Sequence, residues 1–359
     1  QRSLSLHHVQ QWFSLFGRIY CSFYIPLLMA LICFFFGGYI FGYGNDEARW
    51  VAGPVVFSLG VLCIALFATA ATIIRQLIHT YNPVAKYLLP GMGYLFALGT
   101  MLWGIYLFSS PEPQNLFVPG HVICGVSLIA ACISTAATSS TKFTLIPVNS
   151  HGTSDKINPN GFSTTTERVL IGLTVLFATV AWVWAIVLLS GSEGDHLVAG
   201  SVMAGLACIC TSLIGLVASI SRQIRNDYGE KDRKYWPRLV FFMGTICIVG
   251  GIIELLAAPV PVNTTGFILI GLGLVCFSIS SKILLLAKVW RQECKLANRI
   301  PLIPVMTALF ALFLGAFLFE EASVDNAFFV PSRVLIGLGG ICFSLFSIVS
   351  ILESGTSGK

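Results

Sequence analysis

Apolar runs of roughly 20 residues or more, broken by short polar stretches, fill the chain from about residue 21 to its end. They fall at about 21–43, 52–76, 86–109, 119–141, 166–190, 199–222, 236–258, 265–288, 301–320 and 331–353. Each is long enough for an α-helix, rising about 1.5 Å per residue, to cross about 30 Å of hydrocarbon. A membrane barrel would instead need alternating strands of about ten residues. The pattern predicts an all-α integral membrane protein with ten transmembrane helices.

The pattern also repeats. The stretch VPSRVLIGLGGICFSLFSIVS from Val330 is written four more times, starting at Val51, Val118, Val198 and Thr264, with starts 67, 80, 66 and 66 residues apart. A period of this kind marks a repeat architecture. The spans pair into five helix–loop–helix repeats at about 21–76, 86–142, 166–222, 236–288 and 301–353, within one transmembrane domain covering 21–359. A two-span unit returns the chain to the side where it began, so the five units are expected to be parallel about an axis along the membrane normal. Inverted repeats are excluded for these units.

Small residues suggest how the units meet. Gly38, Gly104, Ala185, Gly251 and Gly315 recur 13 to 15 residues before the even-helix starts. Gly200, Ala204, Cys208 and Ser212, then Ala130, Ser134 and Thr138, and finally Gly337, Gly339, Gly340 and Ser344, form ridges on even helices. These ridges predict a pseudo-five-fold ring with the even helices inside. The odd helices, with Trp103, Trp182, Trp184 and a Phe-rich first span, are expected to face lipid. Such ridges serve close packing more often than pores, so a conduit does not follow from them.

Ahead of the first span, in residues 1–20, Val9, Trp12, Phe13, Phe16 and Ile19 recur at helical spacing opposite His8, Gln10, Gln11 and Arg18. This predicts an amphipathic helix on the membrane surface.

Composition agrees with this class: 56% of residues are hydrophobic and 10% charged, far from the quarter or so charged in soluble domains. The net charge of +5 calls for no nucleic-acid partner, because charge is sorted by membrane side. Of the 21 Lys and Arg residues, all but Arg49 and Arg333 fall in or beside the terminal segments and the loops around 77–85, 142–165, 223–235 and 289–300. By the positive-inside rule both termini are expected in the cytoplasm. The opposite face is acidic, with Asp46, Glu47, Glu112, Glu193, Asp195, Glu320, Glu321 and Asp325.

Arg75, Lys142, Arg222 and Lys288 each stand 24 residues after a repeat start, about 36 Å along a helix. They read either as snorkelling cations that anchor helix ends or as a basic ring at the inner mouth of a pathway. Lys282, 18 residues into its repeat, is expected to snorkel to the cytoplasmic surface.

Glu254 is acidic where the other repeats carry Phe41, Leu107, Leu188 and Leu318. An intramembrane carboxylate is by default a functional-site hypothesis. His121 and Arg333 share a position three residues after their repeat starts. With Glu320 and Glu321 these residues make an outer-margin constellation, in which His121 beside a carboxylate would relay protons at mildly acid pH. The structural alternative is a salt bridge from Arg333 to Glu320 or Glu321 that holds the last hairpin.

Eleven cysteines lie almost wholly in apolar segments and read as small packing residues; Cys208 and Cys210, two apart on a helix, are poor joint metal ligands. Thr164 with Glu167 reads as a capping box. Phosphate-loop, HExxH, CxxC and GxSxG motifs do not occur. No enzyme chemistry, cofactor or metal is expected.

The strings KVWRQECKLANRIPLIP (288–304) and VPSRVLIGLGGICFSLFSIVSILE (330–353), with the VAG and VPGH helix starts, resemble the YhiM-type bacterial inner-membrane proteins from about residue 24 onward. In that family a His follows several such starts, whereas here His121 alone does so and Pro54 and Ser201 take the place elsewhere. The resemblance implies a multi-spanning protein of the bacterial inner membrane associated with survival under acid stress, and it brings no site residues. The reading that results is a channel or transporter for a small ion or solute, with membrane lipid as a partner. The alternative is a non-transporting structural or regulatory membrane protein. Oligomeric state is not legible.

Overall fold

The structure is a computed structural model that describes residues 24–43, 46–77, 82–110, 116–141, 163–225, 227–259, 262–289 and 300–357. The segment 1–20, expected to be an interfacial helix, lies outside the described residues. Among those described, ten helices are long and apolar enough to cross a membrane. They are α1 (Tyr24–Tyr43), α2 (Asp46–Leu77), α3 (Pro83–Ser109), α4 (Phe117–Ser140), α5 (Thr164–Leu189), α6 (Gly194–Ile224), α7 (Glu230–Ala257), α8 (Val262–Val289), α9 (Leu302–Glu321) and α10 (Phe329–Ser357). Helices suit these segments because hydrocarbon offers no partner for a backbone N–H or C=O, and an α-helix satisfies both within itself.

Burial divides the helices in two. The apolar stretches of α2, α4, α6, α8 and α10 are 78–89% buried, and those of the odd helices only 22–33%. The odd helices expose Leu95, Leu102, Val183, Ile253, Phe313 and similar side chains, which makes them the lipid-facing layer. The tryptophans depart from the outward placement expected for them: Trp103 is half-buried with its ring 5.7 Å from that of Phe57 on α2, and Trp182 and Trp184 turn inward as well. Both are half-buried, and Trp182 donates its ring N–H to Thr211 of α6 at 3.0 Å, since a buried indole N–H needs an acceptor.

The inner helices touch in a closed order: α2 packs on α4, α4 on α6, α6 on α8, α8 on α10 and α10 on α2. Each odd helix from α3 to α9 packs along the even helix that follows it and also touches the one before. Within these pairs backbones come close. A Cβ on Gly251 would lie 2.5 Å from the Gly266 carbonyl oxygen, and one on Gly266 would lie 2.4 Å from that of Gly251, so only glycine fits at either place. In α1 the contact is made by Gly37, whose added Cβ would meet the Phe57 backbone at 2.6 Å, while Gly38, the residue expected there, faces open space. The repeat starts were aligned on α2, and a shift of one residue turns a helix position by about 100°.

Hydroxyls in the inner helices are satisfied largely within their own helix, as Thr69 to Ala65 O, Thr72 to Ala68 O and Ser134 to Ala130 O show at 2.8–2.9 Å. Polar side chains can therefore pack without water. At the C-terminal ends of the inner helices, Glu167 is buried and paired to Arg225 and Arg222; Arg222 also pairs with Asp232 of α7. Asp232 in turn accepts from Trp236 Nε1 at 3.1 Å. This network ties α5, α6 and α7. Glu167 is thus not half of a capping box: Ser163 caps α5, accepting from Thr166 N.

Candidate functional site

Residues at equivalent places in the five repeats come together in layers where the even helices meet. Near their N-terminal ends a cavity of about 250 Å³ is lined by the repeat starts Val51, Val118, Val198, Thr264 and Val330. The next layer, four residues on, is Val55, Val122, Val202, Ile268 and Val334. Leu59, Val126, Leu206, Leu272 and Leu338 close its floor. Valines at the wide end and leucines at the narrow end taper the space.

Below the floor the lining stays apolar for two more layers. Leu62, Ile129, Ile209, Val275 and Ile341 are followed by Leu66, Ile133, Leu213, Ile279 and Leu345, around a gap of about 30 Å³. A void of that size holds a water or two, and a water needs polar partners to stay; Thr69 and Lys282 at its lower end are the polar residues of its lining. Across these layers the space between the even helices is narrow and walled by aliphatic side chains.

Chemistry changes at the next layer: Thr69, Ala136, Leu216, Lys282 and Ile348. With Ile73, Ser140, Ile220, Gln223 and Leu286 they surround a second cavity of about 40 Å³ toward the C-terminal ends. Lys282 is 3% exposed, so it does not snorkel as expected. Its position in the repeat points it to the axis, where the other four copies are Thr, Ala, Leu and Ile, and the depth of the residue alone could not show this. No hydrogen bond or ion pair joins it to another described residue. Gln223 is 1% exposed, and neither its amide nitrogen nor its amide oxygen has a partner among the described residues. An isolated charge within the hydrocarbon is costly.

The outer-margin residues lie in separate sectors. Glu254 of α7 accepts from the Thr265 hydroxyl of α8 at 2.7 Å. His121 of α4 is buried in an aromatic nest, with ring centroids 4.5 Å from Phe108, 4.3 Å from Phe117 and 5.8 Å from Trp184, and its Nδ1 lies 2.7 Å from the Phe117 carbonyl oxygen. Phe117 continues the nest to His196 at 4.5 Å. Arg333 of α10 donates to the Phe329 carbonyl oxygen and to Ser332 Oγ, both at 3.1 Å, and lies over the Phe319 and Phe329 rings. These cation–π contacts with α9 and its own helix take the place of the expected bridge to Glu320 or Glu321, both of which are exposed. The structure does not gather these five residues into one site.

Nor does the described part of the basic set converge. Arg75 is exposed, and Arg222 turns away to Glu167 and Asp232. Lys142 and the side chain of Lys288 lie outside the described residues. The nine described cysteines are free and buried, and no cluster able to hold a metal occurs among the described residues.

Ten apolar helices, with an apolar layer facing lipid, define a polytopic helical membrane protein. Residues 15–357 match the family described as "Protein of unknown function (DUF2776)", and the chain belongs to that family. It is similar to "Inner membrane protein YhiM" of Escherichia coli (strain K12), with 46% identity over 339 residues covering 93% of this chain and 97% of that relative. The YhiM-type resemblance therefore holds, and the chain is a multi-pass inner-membrane protein. No solved structure matches it.

Proposed function

We propose that the five helix pairs form a parallel, pseudo-five-fold ring whose axis is a conduit for a small ion or solute, held here in a closed state. The observation that supports this reading is the layering: equivalent positions in the five even helices line one space that widens to about 250 Å³ at one end and reaches Lys282 at the other. The distribution of Lys and Arg supports placing both termini in the cytoplasm and the 250 Å³ cavity on the outer side. The chain acts without enzymatic chemistry, and the YhiM-type resemblance supports a link to acid-stress survival.

A second reading is a structural or regulatory protein without flux. The unbroken apolar layers between the two cavities favour it.

Reconstitution of the purified chain into vesicles, with efflux of potassium, protons, chloride and small neutral solutes followed at neutral and acid pH, separates the two. Efflux of at least one solute above protein-free vesicles is expected. No efflux of any of them under either condition would leave the second reading.

A further inference from the structure

We infer that the 40 Å³ cavity around Lys282 is a binding site for one small inorganic anion of halide size, held by the Lys282 ammonium and the Gln223 amide. The inference deepens the conduit reading, on which its role in charge preference rests, but binding itself does not depend on flux. Three observations carry it. The ammonium is buried, has no partner among the described residues and lines the cavity. An ammonium has donors and no acceptor, so it calls for an acceptor or a negative charge, and none of the described residues lining the space is acidic.

The second unsatisfied group is on the neighbouring helix. Gln223 of α6 lines the same cavity, and neither its amide N–H groups nor its amide oxygen has a partner among the described residues; the N–H groups are donors of the kind an anion accepts from, and the oxygen is an acceptor for the ammonium. Buried polar groups are nearly always paired with protein, water or ion, so two unpaired donors around one void point to an occupant. Its size follows from the void: one water needs about 10–15 Å³, and 40 Å³ leaves room for a bare halide and no more than a water or two beside it. A lipid headgroup or an organic acid does not fit. Isoleucine and leucine side chains complete the wall, so an anion that enters sheds most of its water; this favours weakly hydrated halides over fluoride.

The test uses the full chain in lipid nanodiscs, with chloride-35 resonance broadening titrated by bromide. Wild type should show broadening that bromide displaces. Lys282→Met, close in volume and apolar in an apolar layer, should remove that displaceable part while keeping or raising the melting temperature. Gln223→Leu should weaken it about tenfold, the loss of one good hydrogen bond to a charge. Displaceable broadening unchanged in folded Lys282→Met would overturn the site, leaving water as the occupant. Parallel vesicle efflux of chloride and potassium separates the two claims. Displaceable, Lys282-dependent broadening without efflux keeps the site and sinks the conduit. Efflux whose chloride-to-potassium ratio is the same in wild type and Lys282→Met overturns the role in charge preference.

Discussion

Leu59 of α2 sits against Gly337 of α10: a Cβ added to the glycine would lie 2.6 Å from Leu59 Cδ1. The contact joins the first repeat to the last, and it is one of a series. Leu206 meets Gly125, Leu272 meets Gly205 and Leu338 meets Gly271 at 2.5–2.7 Å by the same measure. Each glycine stands seven residues after its repeat start and each leucine eight after the next. In the remaining junction, α2 with α4, Ser58 replaces the glycine and Val126 the leucine. A larger floor of the socket is matched by a shorter knob.

Gly337→Val should therefore destabilise the protein by about 1–3 kcal/mol through overpacking, read as a lower melting temperature in detergent. Leu59→Ala added to it should recover part of the loss. Melting of the double variant no better than that of Gly337→Val would contradict the socket.

The network at the other end gives a second prediction. Glu167 is buried between two arginines, and removing one partner of such a group costs about 3–5 kcal/mol because the other charges lose their compensation. Glu167→Leu should show this loss, and Arg222→Met less, since Arg225 remains with Glu167 and Trp236 with Asp232. Equal losses for the two variants would count against the assignment of Arg225 as the main partner.

Much of the helix packing was legible because the even-numbered apolar runs share one register. Once Val51, Val118, Val198, Thr264 and Val330 are aligned, every axial layer follows by counting. What eluded the reading was direction around each helix. Depth alone suggests snorkelling for Lys282, whereas its register turns it to the space between the even helices. Arg222 was placed at the right height but turns to Glu167 and Asp232, partners far away in the chain or across a loop. Gly38 and Gly37 differ by one position that only the α1–α2 contact decides. Glu254, His121 and Arg333 share an outer-margin depth and not a sector, so depth alone grouped residues that belong to three different helix pairs.

That separation can be measured. Glu254 is held in the α7–α8 pair and His121 in a nest built from α3, α4 and α5. With no shared partner, Glu254→Gln and His121→Ala should be additive in melting free energy to within about 0.5 kcal/mol. Coupling well above that would reinstate a joint site.

The constriction offers the most direct test of the conduit. Leu66 lies in the layer with Ile133, Leu213, Ile279 and Leu345, and Leu66→Ser puts a hydroxyl where the axis is driest. If dewetting closes a pathway there, lowering its barrier by about 1.4 kcal/mol raises flux about tenfold. Chloride efflux from vesicles holding Leu66→Ser, compared with wild type at equal protein and verified folding, should rise by at least that order. Efflux indistinguishable from that of wild type and of protein-free vesicles would contradict a conduit along this axis.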